Sequence, residues 1–131
     1  MSLYQSFKTS DDLEQGGVWF RQGEAKFLVK RISSRNYKYR TTLANLMRPH
    51  KRAIEADTLS EETGREISIA AFLEGALITW ENVADKEGKT IPFSKQAAIN
   101  LFQDLPDLFD TLLSEAQSSK HFIEVDNLVK N

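Results

Sequence analysis

Apolar side chains recur at helical spacing along most of the chain after residue 37, and this periodicity constrains the fold more than any other feature of the sequence. An apolar residue at every third or fourth position places these side chains on one face of a helix. The stretches are Tyr39, Leu43, Leu46, Met47 and Ile54; Ile67, Ala70, Ala71, Leu73, Ala76, Leu77 and Trp80; Ala97, Ala98, Leu101 and Phe102; and Leu108, Phe109, Leu112 and Leu113. The pattern predicts a body of amphipathic helices that bury these faces together.

Prolines and turn residues divide this pattern into separate helices. Pro49 and Pro106 each remove a helical hydrogen bond and predict a break in the chain near their positions. A helix is expected from Thr58 to Trp80, and residues 82–93 are expected to form a loop because turn-forming residues cluster there. Residues of the types that cap helix N-termini stand at four predicted helix starts. They are Ser33 or Ser34, Thr58, Ser94 and Asp104. Four to five helices are therefore predicted.

A different pattern precedes the helices. Val18-Trp19-Phe20 and residues 26–30 are short runs of aromatic and branched side chains, and residues 21–25 between them contain Gly23. Two such runs joined by a short glycine-containing segment predict a β-hairpin. The fold class expected is mainly α (α+β), with four to five helices and an N-terminal β-hairpin.

The 131 residues fit one domain with a sizeable core. Within that single domain, residues 1–15 are expected to form a flexible arm and residues 16–31 the hairpin. Residues 34–125 are expected to form the helical body, and residues 126–131 a frayed tail.

Charge is unevenly distributed along the chain. Residues 21–52 contain ten Lys or Arg and one acid, whereas residues 53–131 contain six basic and fifteen acidic residues. The chain has no cysteine and no apolar run long enough to span a membrane, so a disulfide framework and a membrane partner are not expected. A basic segment followed by an acidic one can attract an acidic partner, nucleic acid or another copy of the same chain.

Residue patterns that carry chemistry are weak in this sequence. His50 and His121 are far apart and belong to no metal-ligand motif, and Gly88-Lys89-Thr90 lacks the preceding glycine of a phosphate-binding loop. No serine stands in a nucleophile-elbow context. We therefore expect no catalytic, cofactor-binding or metal-binding residues, and we expect that the protein is not an enzyme.

The strongest candidates for partner contacts are aromatic and basic side chains, because these residue types dominate binding hot spots. Trp19 and Phe20 occupy adjacent strand positions, so one is expected to face inward and the other outward. The complete candidate set is Trp19, Phe20, Arg31, Arg35, Tyr37, Lys38, Arg40, Arg48, Lys51 and Arg52. The basic stretch 31–52 leaves open an alternative role as a nucleic-acid-associated regulator, although the overall acidic balance disfavours it.

Several segments together resemble a known family. They are Gly17-Val18-Trp19-Phe20, residues 27–31, residues 35–39 and residues 46–52, followed by a more specific block in residues 78–83, 85–88, 91–94 and 101–110. In these segments the chain is similar to the tail assembly chaperones of lambda-like long-tailed bacteriophages and related prophages. These are packing and turn patterns rather than catalytic signatures.

The resemblance implies a function in phage morphogenesis. Such a chaperone binds the tape measure protein, helps to recruit tail tube protein around it and associates with further copies of itself. It acts in the cytoplasm of the infected or lysogenic host and is absent from the mature virion. The resemblance also implies that this chain is the short, non-frameshifted form of the chaperone.

Overall fold

The computed structural model describes residues 2–124, which form an α+β fold, as predicted. Four helices of ten or more residues form the body, and a three-stranded antiparallel sheet lies against them. The elements are α1 (Leu3–Phe7), α2 (Asp11–Gly16), β1 (Val18–Gln22), β2 (Ala25–Val29), α3 (Tyr37–Met47), α4 (Lys51–Glu55), α5 (Glu61–Gly75), β3 (Leu77–Glu81), α6 (Lys95–Asp104) and α7 (Pro106–Gln117). Two 3₁₀ turns, Arg48–His50 and Ser119–Phe122, complete the described chain.

The predicted hairpin is confirmed by the pairing of β1 with β2. Phe20 lies opposite Phe27, and Gln22 opposite Ala25 closes a two-residue turn. Gly23 begins that turn with a φ of +62°, a backbone conformation that glycine adopts readily. Phe20 and Phe27 face the core, so the hairpin buries one face and leaves the other outward.

The third strand corrects the prediction of a helix from Thr58 to Trp80. α5 ends at Gly75, and β3 pairs antiparallel with β2. The register shifts beside Leu28, so that Leu77 lies opposite Val29 while Thr79 lies opposite Leu28. This bulge adds one residue to β3 and allows Leu77 and Trp80, three positions apart, to face the core together. Their helical spacing therefore arises from a bulged strand.

The N-terminal segment, which is expected to be a flexible arm, contains two short helices. Residues 3–7 and 11–16 form the short helices α1 and α2. The segment between them lies beside the end of the described chain, where Ser10 N–H donates to the Phe122 carbonyl (2.8 Å) and Glu124 N–H donates to the Lys8 carbonyl (2.7 Å). The frayed tail predicted for residues 126–131 lies outside the described residues.

The helix boundaries show which cap predictions hold. Ser94 caps α6, as predicted, and Pro49 lies in the 3₁₀ turn that separates α3 from α4. Asn36 rather than Ser33 or Ser34 caps α3, and Ser60 rather than Thr58 caps α5. Asp104 does not cap α7; that helix begins at Pro106, whose missing N–H needs no cap.

Aromatic rings form the centre of the core. Phe72 of α5 packs edge-on against Phe109 of α7, with ring centroids 5.4 Å apart, and against Phe102 of α6 at 6.0 Å. On the sheet side, Trp80 packs edge-on against Phe27 at 6.0 Å. These edge-to-face contacts join helices that are distant in sequence and fix the elements that carry the surface features below.

Candidate interaction surfaces

Two of the predicted basic contact residues are engaged within the molecule. Arg31 donates to the Glu14 carboxylate through Nη1 at 3.1 Å, and Arg35 donates to the same oxygen through Nη2 at 2.8 Å. Arg35 also lies 3.9 Å from an oxygen of Asp11. These contacts fasten α2 to the segment before α3, so Arg31 and Arg35 have a structural role whether or not they meet a partner.

The other predicted basic residues form a surface that we call the basic face: Lys38, Arg40, Arg48, Lys51 and Arg52, together with Tyr37. It runs along the outer side of α3, the following 3₁₀ turn and α4, and all six residues are exposed. Within residues 2–124, none of its five cations forms an ion pair with an acidic side chain. In the part of the chain that the structure describes, the basic face therefore presents its positive charges to solvent.

An aromatic–cation pair lies at one end of the basic face. The Tyr37 side chain is 69% exposed, and the Arg40 guanidinium lies 5.6 Å from its ring centroid. Such a pair combines apolar ring area with a positive charge at the surface. It is suited to a partner that offers both an apolar patch and a carboxylate.

Trp19 and Phe20 point to opposite sides of the sheet, as predicted. Phe20 is buried in the core, where it packs against Phe122 with ring centroids 6.2 Å apart, so its side chain has little area left for a partner. Trp19 is 38% exposed on the outer sheet face, which we define as Trp19, Leu28, Ile78 and Thr79. The alternation of strand side chains thus separates a core residue from a contact residue.

The outer sheet face is a contiguous apolar area with a charged rim. A Cβ atom on Gly17 would lie 3.1 Å from Ile78 Cδ1 and 3.2 Å from Leu28 Cδ1, which shows that these side chains cover the backbone there. Lys26 Nζ lies 4.8 Å from the Trp19 ring centroid and 3.4 Å from a carboxylate oxygen of Glu81. An exposed apolar area with a polar rim is typical of a protein-binding surface.

Sequence reasoning did not identify a third surface, a groove between the loop after β3 and helix α6. Its floor consists of Ile91, Ala97, Leu101 and Leu105, and Glu87 and Asp104 lie at its rim; we call it the acid-rimmed groove. Its volume is about 470 Å³. In the sequence, the signal nearest to this groove is Leu105 immediately before Pro106, and that pair predicts only a helix break.

The loop beside this groove is held in place by specific bonds. Asp85 Oδ1 accepts from the backbone N–H groups of Glu87 (2.9 Å) and Lys89 (2.8 Å). The Trp80 indole N–H donates to the Ile91 carbonyl at 2.8 Å, and the Phe93 ring lies 5.1 Å from the Trp80 ring. These contacts tether the loop to the core through Ile91 and Phe93, so the groove is formed before any partner binds.

Two titratable side chains, Tyr39 and Glu74, have pKa values shifted by burial and by ion pairing. Burial raises the pKa of Tyr39, whose side chain is partly buried against the core. The hydrogen bond from Lys95 and the positive charge of that residue hold the pKa of the exposed Glu74 carboxyl below its ordinary value. Both shifts follow from local packing or an ion pair, and neither residue faces the acid-rimmed groove.

Across residues 2–124, no three His, Cys, Asp or Glu side chains converge as ligands for a metal ion. None of the helices in that range has both the length and the apolar character needed to cross a bilayer.

Comparisons with known proteins indicate the origin of the chain. A search of curated proteins and a search of solved structures each found no match. A family model described as "YdaY prophage protein" matches residues 33–129, which is most of the sequence. The phage origin implied by the resemblance is therefore confirmed, whereas a role in tail assembly stays a prediction. On the strength of this match, the chain belongs to the YdaY prophage protein family.

Proposed function

We propose that this prophage protein acts by binding other proteins rather than by catalysis, as a tail assembly chaperone. Its main partner is the tape measure protein, which it holds in the host cytoplasm while tail tube subunits are recruited. The resemblance described above supports this role, as does membership of a prophage protein family. A chaperone of this kind needs exposed apolar area that can be covered and released.

The observation that carries the proposal is the outer sheet face. Trp19 is 38% exposed and Ile78 is 37% exposed, and both lie on a rigid sheet whose opposite side is fixed in the core. A tape measure protein that is long, helical and prone to aggregate offers apolar helix faces of matching chemistry. The charged rim of Lys26 and Glu81 keeps the surface soluble when no partner is bound.

The experiment is co-expression of the chain with the tape measure protein encoded by the same prophage. The fraction of tape measure protein in the soluble extract and its co-purification with the chain are measured. Trp19→Ala is expected to reduce both at least about tenfold, the effect of losing an aromatic anchor of an interface. Tyr4→Ala is the matched control, because Tyr4 is an exposed aromatic residue on α1, outside the outer sheet face.

The three possible outcomes are distinguished once circular dichroism shows that the variants are folded. A soluble complex that Trp19→Ala disrupts and Tyr4→Ala preserves would support the proposal. A tape measure protein that stays insoluble with the wild-type chain would overturn the chaperone role. Equal retention by both variants would overturn the assignment of the outer sheet face.

A second candidate function, nucleic-acid binding, is favoured by one specific observation. The five cations of the basic face are exposed and lack acidic partners among the described residues. Phosphate contacts of this kind release counterions, so binding to duplex DNA should weaken steeply as salt rises. A gel shift at two salt concentrations with wild type and Arg48→Glu/Lys51→Glu tests this candidate. An absence of binding to the wild-type chain at low salt would exclude it.

A further inference from the structure

The acid-rimmed groove has the chemistry of a docking site for a basic, aromatic surface. Leu105 is 49% exposed at one side of an apolar floor, and the carboxylates of Glu87 and Asp104 flank it. Counting all residues that line the groove, three acids and one lysine leave a net negative charge. An apolar peptide without positive charge would leave these carboxylates without compensation.

The same chain carries a surface with the complementary properties. On the basic face, the Tyr37 ring supplies apolar area, and Arg40 holds a cation 5.6 Å from its centroid. Arg48 and Lys51 continue the positive charge along the exposed side. The series Tyr37, Arg40, Ala44, Arg48 and Lys51 advances by three or four residues at each step, which is the spacing of neighbours on a helix surface. No residue belongs to both the basic face and the groove, so one copy can use both surfaces at once.

We infer that the acid-rimmed groove of one copy binds the basic face of a second copy, with Tyr37 on the apolar floor and Arg40 and Arg48 beside Glu87 and Asp104. Two different surfaces meet in this contact, so it is heterologous and repeats from copy to copy. Such contacts produce rings when the rotation closes and open helical chains when it does not. The outer sheet face takes no part, so this self-association does not depend on the proposed binding of the tape measure protein.

The experiment is sedimentation velocity of the nuclease-treated full chain over a range of concentrations at low and high salt. The wild type should exceed its monomer mass of 14.9 kDa as concentration rises, and high salt should reverse this. Arg40→Glu/Arg48→Glu changes the basic face, and Glu87→Lys/Asp104→Lys changes the groove. Each variant alone should associate at least about tenfold more weakly, because like charges then face each other.

An equimolar mixture of the two variants provides the decisive measurement. Each remaining wild-type surface can pair with its counterpart, and the reversed surfaces also complement each other, so association should return. Glu24→Lys/Glu66→Lys is the charge-matched control, because both glutamates are exposed and lie outside the groove. Association of this control should match that of the wild type.

Several results would overturn the inference. A wild-type chain that is monomeric at every concentration would do so, as would groove and basic-face variants that associate like the wild type. Folded variants that stay monomeric when mixed would show that the two surfaces do not meet each other. Self-association could fail while tape measure binding persists, or the reverse, so the two proposals are separable.

Discussion

Gly75 and Tyr39 bring helices α5 and α3 into backbone contact. A Cβ atom placed on Gly75 would lie 2.4 Å from Tyr39 Cα and 2.5 Å from Tyr39 N, far inside the normal contact distance. The atoms it would meet are mostly backbone, so no flexible side chain can move aside. α3 carries half of the basic face, and its position therefore depends on the absence of a side chain at residue 75.

Gly75→Ala is expected to destabilise the protein by about 2 to 3 kcal/mol, because the added methyl group must separate the two helices. The measurement is urea unfolding followed by circular dichroism. Gly64→Ala is the matched control in the same helix, since a Cβ there would meet only Leu59 Cδ2 at 3.9 Å. The control should gain about 0.5 to 1 kcal/mol, the usual advantage of alanine over glycine in a helix. Equal effects at the two positions would contradict the close approach.

Asn36 stabilises the same contact between α3 and α5 with three hydrogen bonds. Its Oδ1 caps α3 by accepting from Tyr39 N–H (3.1 Å), while its Nδ2 donates to the carbonyls of Arg31 (2.8 Å) and Gly75 (2.9 Å). Asn36→Ala should cost about 2 kcal/mol of unfolding free energy, because it removes a helix cap and leaves partly buried carbonyls without a donor.

Asn36→Asp separates the two roles of this side chain. It keeps the capping oxygen but places a carboxylate against two carbonyl oxygens, so it should destabilise the protein as well. Asn45→Ala is the control, because Asn45 is exposed on α3 and its oxygen accepts from the Arg48 side chain. That change should stay within about 0.5 kcal/mol of the wild type. An Asn36→Asp variant as stable as the wild type would show that the cap alone matters.

Stability at alkaline pH should depend on Tyr39. Burial raises the pKa of this phenol above its ordinary value, so the unfolded chain loses the proton first as pH rises. The free energy of unfolding is unaffected by this titration below a pH of about 10, the pKa of tyrosine in the unfolded chain. It falls as pH rises from there through the folded-state pKa. Urea midpoints of wild type and Tyr39→Phe should therefore be similar at neutral pH and diverge above pH 10, with the wild type less stable. Parallel curves would contradict this linkage.

The helices could be predicted from the sequence because their apolar faces and breaks are local signals. The end of α5 could not, and the reason lies in β3. Leu77 and Trp80 are three residues apart, and only the bulge beside Leu28 places both on the buried side of a strand. A bulge depends on pairing with β2, some fifty residues earlier, so periodicity within the segment alone predicted a helix.

The surfaces were predictable to different degrees. Charge counting located the basic face, because exposed lysines and arginines on α3 and α4 need no tertiary information. It could not separate Arg31 and Arg35 from the others, since their partner Glu14 approaches only in the folded chain. The acid-rimmed groove was missed for the same reason: Ile91 and Leu105 come from different segments, which the fold brings together.

Glu14 is expected to contribute more to the free energy of unfolding than an exposed ion pair does. Its side chain is 10% exposed and that of Arg31 is 17%, whereas the Arg35 side chain is 62% exposed. Glu14→Ala should lower the free energy of unfolding by about 3 kcal/mol, because the largely buried Arg31 guanidinium then lacks its carboxylate partner. Arg35→Ala should cost less than about 1 kcal/mol, because an exposed ion pair contributes little. The double variant Glu14→Ala/Arg31→Met should be more stable than Glu14→Ala in urea unfolding, since it also removes the uncompensated charge. A double variant less stable than Glu14→Ala would place the cost in packing instead.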